Sequence, residues 1–100
     1  MKIQVRARNV ELTEVLRTHV ARRLGLALGR FAERIEKVMV RFTDADARKG
    51  GHEKRCRIDV GLRSRGLCVE DTDADLFAAV DRATDRVSRS VARALEGEEG

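Results

Sequence analysis

Hydrophobic and polar residues alternate in four stretches of the chain, and this period of two is typical of half-buried strands. The predicted strands cover residues 2–8, 35–43, 53–63 and 66–70. Their inward positions hold Ile3, Val5, Ala7, Val38, Val40, Phe42, Cys56, Ile58, Val60, Leu62, Leu67 and Val69. Since the outward positions are mostly polar, the pattern predicts one sheet with a single apolar face.

Two further stretches repeat hydrophobic residues every three or four positions, as on one face of a helix. Thr13 is suited to cap the first helix, which is predicted to run to about Glu33 with the core positions Leu16, Val20, Leu24, Ala27 and Phe31. The second is predicted to begin at a capping box in residues 72–75 and to end near Leu95, before Gly97. Its apolar stripe is Leu76, Val80, Ala83, Val87, Val91 and Ala94.

The last two strands are close enough in sequence to form a hairpin. A two-residue turn at Ser64 and Arg65 would pair Leu62 with Leu67 and keep the apolar residues on one face. In that register Cys56 points inward and Cys68 points outward. Because the two sulfurs would then lie on different faces of the sheet, no disulfide is expected.

The order of the elements predicts the architecture. A parallel β-α-β crossover is right-handed and brings the first helix onto the sheet, and the second helix must cover the same apolar face. The predicted fold is therefore α+β, a β-α-β-β-β-α two-layer sandwich with two helices on one face of a four-stranded sheet. Residues 1–97 are expected to form a single domain, and residues 98–100 an acidic tail.

Composition narrows the class of protein. The chain has 100 residues, of which 42% are hydrophobic and 38% charged, as in globular domains. It contains no hydrophobic run of the ~18 residues that a membrane span needs, and no signal peptide is evident. Two cysteines without such a signal indicate a reducing compartment. The expected location is the cytoplasm, with no membrane partner.

Positive charge is unevenly distributed. The formal net charge is +4, and residues 1–41 hold ten Lys and Arg against four Glu. This distribution favours an anionic partner. The aromatic residues are three phenylalanines, all at expected core positions, so base stacking is disfavoured. RNA binding would therefore use phosphates and shape.

Four arginines of the second helix are spaced four, three and four residues apart and so form one line. We call Arg82, Arg86, Arg89 and Arg93 the arginine line. On the first helix, His19, Arg23, Leu26 and Arg30 repeat the spacing, so two adjacent basic lines could bind phosphates. The alternative is a solubilising surface, for instance with Arg89 paired to Asp85. The outer face of the sheet is also basic, which makes it a second candidate contact surface.

Catalytic and metal-binding patterns are not found in the sequence. His19 and His52 have no cysteine or acid at a recognisable triad or metal spacing. No catalytic residue, metal site, cofactor or small-molecule substrate is therefore predicted, and the protein is not expected to be an enzyme.

Two segments resemble one known family. Residues 12–24 (LTEVLRTHVARRL) are similar to the first helix of the ribosome hibernation promoting factors, also called ribosome-associated inhibitor A or protein Y, and residues 75–81 (DLFAAVD) to the start of their second helix. The resemblance covers nearly the whole chain. Two features depart from the usual family pattern: Leu26 replaces a lysine, and residues 49–56 look like a divergent, ribosomal-subunit-interface-like branch.

The resemblance implies a translation inhibitor that binds the small ribosomal subunit and its 16S-type rRNA in the mRNA–tRNA channel, in stationary phase or stress. In that family basic residues of both helices contact rRNA. The matching positions here are Arg23, Arg30, Arg82, Arg86 and Arg89, and Arg93 is added by extrapolation. A chain of this length resembles the short form, expected to be a monomer when free.

Two other functions remain open from the residues. The β-β-β-α portion is reminiscent of a general double-stranded-RNA-binding module. An exposed Cys68 beside a polar sheet face would instead suit a protein-interaction or redox-responsive module.

Overall fold

The computed structural model describes residues 1–44 and 53–99. The elements are β1 (Lys2–Arg8), α1 (Glu14–Leu28), a 3-10 helix (Gly29–Arg34), β2 (Ile35–Asp44), β3 (Lys54–Leu62), β4 (Gly66–Asp73) and α2 (Leu76–Glu99). This order confirms the predicted α+β fold. Residues 49–52 of the segment likened to the divergent branch, His52 among them, lie outside the described residues.

The four strands form one sheet in the order β1-β2-β3-β4, with β1 parallel to β2 and the other neighbours antiparallel. The inner face and both helices share one core, whose largest fully buried side chains include Phe42, Leu24, Leu28 and Ile58. α2 packs over β3 and β4 and lies beside α1. Both helices therefore cover the same face of the sheet, as the single apolar face requires.

α1 begins where the sequence predicts but ends earlier. The Thr13 hydroxyl oxygen accepts a hydrogen bond from the Leu16 amide at 3.1 Å, which confirms the cap. The predicted end at Glu33 is wrong, because the α-helix stops at Leu28 and a 3-10 helix follows. Gly29 lowers the local helix propensity, and 3-10 turns are frequent at such ends. The change of helix type buries Leu28 fully and leaves Phe31 half-buried.

The hairpin of β3 and β4 differs from the prediction by two residues. Val60 pairs with Leu67, and the Leu62 amide donates to the Arg65 carbonyl at 2.8 Å, so the turn centres on Arg63–Ser64. Side chains alternate with a period of two, so a shift by two residues keeps every side chain on its own face. The apolar pattern therefore specified the face correctly and could not distinguish these two registers.

The start of α2 is set by a different residue from the one predicted. β4 extends through Asp73, so Thr72 belongs to the strand and does not cap the helix. The Asp75 carboxylate instead accepts a hydrogen bond from the Phe77 amide at 2.9 Å. At the other end, α2 continues past Gly97 to Glu99, so the predicted stop is wrong. An exposed glycine costs a helix only about 1 kcal/mol, which a long packed helix tolerates.

Replacing Asp75 with alanine should lower the free energy of unfolding by about 1 kcal/mol, because the Phe77 amide loses its acceptor. Thr72→Val is the matched control, since it keeps a β-branched side chain in the strand. Chemical denaturation of both variants measures the effect. Equal destabilisation by the two substitutions would contradict the assignment of Asp75 as the cap.

Candidate nucleic-acid interface

The arginine line runs along the side of α2 that faces away from the core. Its members are exposed, while Val80, Val87 and Val91 of the same helix are buried against the sheet. The helical spacing thus places the guanidinium groups on one surface, as predicted. Their environments differ along the helix, however, and this difference decides which of them can meet a ligand.

Arg82 is bound to the end of β4. Its Nε donates to Asp71 at 3.1 Å, and its Nη2 donates to Asp73 at 2.8 Å and to the Thr72 carbonyl at 2.9 Å. These carboxylates, Asp73 first, raise the pKa of Arg82. The pKa of Asp73 is lowered in turn, by the hydrogen bond from the Asp75 amide and then by Arg82.

Arg86 reinforces the same seam. It donates to the Glu70 carbonyl, and its Nη1 lies 3.7 Å from Asp71 Oδ2. Asp71 faces the helix layer opposite Cys56, and its side chain is only 16% exposed. A carboxylate this sheltered requires cationic partners. Arg82 and Arg86 therefore mainly connect α2 to β4.

Arg89 and Arg93 lie farther along α2 and have a different environment. Both are exposed, and neither forms an ion pair with any residue that the structure describes. The alternative pairing of Arg89 with Asp85 is not among the ion pairs of the described residues, and Asp85 instead accepts a hydrogen bond from Arg23 at 3.1 Å. The far end of the arginine line is therefore available to an anionic ligand.

The basic line of α1 is interrupted by acids of α2. Asp81 lies 2.7 Å from His19 Nε2 and 3.2 Å from Arg23 Nε, and Asp85 binds the Nη2 of Arg23. The same Nη2 donates to the Asp81 carbonyl at 3.2 Å. The two helices therefore meet through an ion-pair cluster, and the expected continuous basic surface is divided by two carboxylates.

The remaining members of the α1 line lie beyond this cluster. Leu26 is 76% exposed. Arg30 falls in the 3-10 helix, where its guanidinium carbon stands 4.5 Å from the centre of the Phe31 ring. A cation–π contact of this kind orients the guanidinium without neutralising it. Arg30 thus remains a candidate phosphate ligand, whereas Arg23 is engaged within the protein.

Sequence reasoning did not predict which acids engage these arginines. Asp81 and Asp85 form a visible i, i+4 pair on α2, and this spacing is a signal that they share one edge of the helix. Their partners on α1, and those of Arg82 on β4, depend on how the elements pack. No spacing within a single element reveals them.

The two cysteines are free and lie on opposite faces of the sheet, as predicted. Burial, and next the charge of Asp71, raise the pKa of the Cys56 thiol to about 12. The pKa of Cys68, which lies opposite Asp59, is also raised, by desolvation and then by Asp59. A raised pKa keeps a thiol protonated and poorly nucleophilic. This counts against an activated thiol at either position.

Within residues 1–44 and 53–99, no helix is long and apolar enough to cross a membrane. In the same ranges, no three His, Cys, Asp or Glu side chains gather where they could hold a metal ion.

A family model described as Sigma 54 modulation protein / S30EA ribosomal protein matches residues 3–97. The chain belongs to this family. The ribosome hibernation promotion factor of Deinococcus radiodurans is 36% identical to it over 90 residues, 88% of this chain and 46% of that protein. The chloroplastic ribosome-binding factor PSRP1 of Spinacia oleracea is 23% identical over 94 residues, 91% of this chain and 31% of that protein. The chain thus spans about half or less of the length of these relatives.

Solved structures agree with the family assignment. The N-terminal domain of Thermus thermophilus Protein Y superposes with a TM-score of 0.77 at 35% identity, over 93% of this chain and 98% of that chain. A ribosomal subunit interface protein from Coxiella burnetii gives a TM-score of 0.81 at 16% identity, over 96% and 99%, and this likeness concerns the fold alone. The predicted family resemblance is confirmed.

In this family member, a thiol reagent should modify Cys68 in the folded protein and reach Cys56 only after unfolding. Cys56 is fully buried and its pKa is raised to about 12, so its thiolate is scarce. Counting labelled thiols before and after denaturation checks this. A Cys68→Ser variant should remain unlabelled while folded, and labelling of that variant at native conditions would contradict the burial of Cys56.

The Asp73 carboxylate should contribute to stability in a pH-dependent way. Its folded pKa lies below the ordinary value of 3.8, so the contribution is complete above that value and is lost as the pH falls through the lowered pKa. Asp73→Asn should therefore flatten the fall in unfolding free energy over this acid range. Denaturation of both proteins from about pH 2 to pH 6 measures it. Parallel curves would contradict the assignment.

Proposed function

We propose that this chain is a ribosome-associated hibernation factor that binds the small ribosomal subunit through rRNA phosphates in the mRNA–tRNA channel. It acts in the cytoplasm by occupying that channel, without catalysis or a cofactor, and silences idle ribosomes in stationary phase or stress. The observation that carries the proposal is the pair Arg89 and Arg93, exposed on α2 without an ion-pair partner among the described residues. Membership of a family whose relatives are named for the ribosome supports the choice of partner.

The geometry of this pair suits a phosphate backbone. Four residues of α-helix rise about 6 Å, so the two guanidinium groups are close enough to contact neighbouring phosphates of one strand. Guanidinium groups bind phosphate through two parallel hydrogen bonds, which fixes orientation as well as affinity. α2 itself is held on the sheet by a buried face, so the pair is presented on a rigid element.

Contacts inside the protein determine how much each arginine can contribute to phosphate binding. Arg23 is engaged by Asp81 and Asp85, and Arg82 and Arg86 are engaged by the end of β4. Arg89 also lines a groove of about 320 Å³ between the helices, together with Leu26. In our proposal Arg89, Arg93 and Arg30 supply most of the phosphate contacts, and the engaged arginines mainly hold α2 and α1 in place.

Replacing Arg89 and Arg93 together with glutamine should weaken binding to purified small subunits by roughly 60-fold at about 0.1 M salt. The plot of log affinity against log salt should also lose about 1.8 units of slope, because two phosphate contacts are removed. Co-sedimentation over a range of salt concentrations measures both quantities. The matched control is Arg63→Gln with Arg65→Gln, which removes the same charge from the β3–β4 turn.

If the turn control loses as much affinity for small subunits, the effect would be due to net charge alone, and this would contradict the proposal. Arg82→Gln with Arg86→Gln is the informative comparison: it should destabilise the fold and change the salt slope less than the first pair does. Binding of the wild type to an isolated RNA duplex as tightly as to small subunits would favour the alternative of a general double-stranded-RNA module.

A further inference from the structure

The outer face of β1 and β2 carries a second concentration of positive charge, on the side of the sheet away from both helices. Four pairs of neighbouring residues point outward there: Lys2 with Lys37, Gln4 with Met39, Arg6 with Arg41, and Arg8 with Thr43. None of these residues is acidic. We call this set the basic sheet face.

One row of this face places like charges side by side. Arg6 pairs with Arg41 across the parallel strands, and Arg41 pairs with Arg57 of β3. Neighbouring strands lie about 4.8 Å apart, and like charges at this distance oppose folding. A solubilising surface has no need of such a row, since alternating charges would serve as well. The row is therefore better explained by a ligand that neutralises it.

The acids of the outer face form ion pairs with Arg57, and only the charge of Asp59 acts on Arg41, from beyond ion-pair distance. Asp59 binds Arg57 at 3.0 and 3.2 Å, and Glu70 lies 3.4 Å from the same guanidinium. Arg6 and Arg41 have no carboxylate of the described residues within ion-pair distance. The half of the face formed by β3 and β4 is thus internally balanced, and the half formed by β1 and β2 is not.

The same two arginines border a cleft between β1, β2 and the start of α1. The cleft measures about 690 Å³, within the usual size range of ligand sites, and Arg8 and Arg17 complete its ring of guanidinium groups. Its lining combines these arginines with apolar side chains, Leu12 and Phe42 among them, and no acid is among the described residues that line it. Cations beside apolar side chains match a nucleotide, which joins a phosphate to a less polar sugar and base.

We propose that the basic sheet face is a second RNA-binding surface, on which Arg6 and Arg41 hold phosphates of an RNA strand and the cleft beside Arg17 receives one of its nucleotides. This second surface goes beyond the proposed function, which uses the helices. It rests on that function only in taking RNA as the class of partner. A domain with phosphate-binding arginines on the outer side of both its sheet and its helix layer contacts RNA from two directions. Such a domain fits between two RNA surfaces better than against one.

The test compares the wild type with four double variants. Three replace arginine with glutamine: Arg6→Gln/Arg41→Gln (called the Arg6/Arg41 variant), Arg89→Gln/Arg93→Gln and the turn control Arg63→Gln/Arg65→Gln. The fourth, Arg6→Lys/Arg41→Lys, is the conservative change. The first probe is a single-stranded oligouridine without ribosomes. Amide chemical shifts should move in β1 and β2 of the wild type and of the turn control, and should stay still in the Arg6/Arg41 variant. The salt slope of that variant should fall by about 1.4 units, as for two lost phosphate contacts on a single strand. Arg6→Lys/Arg41→Lys keeps the charge and should bind with intermediate affinity.

Oligouridine shifts confined to α2, or an Arg6/Arg41 variant that binds as the turn control does, would overturn the inference. If a polyglutamate peptide shifts the same amides equally, the surface binds any polyanion, and the inference that RNA is its partner would be refuted. Purified small subunits form the second probe and separate the two proposals. Loss of subunit binding in the Arg6/Arg41 variant supports the sheet face. A wild type that shifts with oligouridine and fails to bind subunits refutes the proposed function and leaves the sheet face supported.

Discussion

The sheet offers one apolar face, and both helices must share it. Side chains from β2 and β3 alternate between this face and the polar outer one, and the buried members, such as Val40 and Ile58, lie beneath the helices. Because burial of apolar surface is the main favourable term in folding, the two helices are forced side by side. The seam between them, the seam of α2 with β4 and the open outer face of the sheet all follow from this one constraint.

Side-by-side packing also decides which charges remain available. It brings Asp81 of α2 against His19 and Arg23 of α1, and it brings Arg82 against the sheltered carboxylate of Asp71. Each of these contacts engages an arginine in an ion pair within the protein. The arginines that remain exposed without a described partner include the far end of the arginine line and those of the β1–β2 half of the outer face. The distribution of unpaired charge thus reflects packing as well as composition.

A family with this fold can therefore vary its surface without disturbing its core. Leu26 stands on α1 with 76% of its surface exposed, and Arg89 and Arg93 lie on a different helix. A change there should cost little stability, because no buried contact depends on it. In contrast, a change at Asp71 or Arg82 affects both the union of α2 with the sheet and the charge that the helix presents.

The sequence by itself determined the class and order of the elements, the residues on the apolar face and the alignment of the arginine line. Each depends on a period of two or of about 3.6, which a single segment contains in full. Only the tertiary structure decided the β3–β4 register, the cap at Asp75 and the internal engagement of Arg23, Arg82 and Arg86. The engagement of the arginines depends on distances between residues far apart in the chain. The cap depends on how far β4 extends, and the register is open because a periodic pattern is unchanged when one element slides past another by a full period.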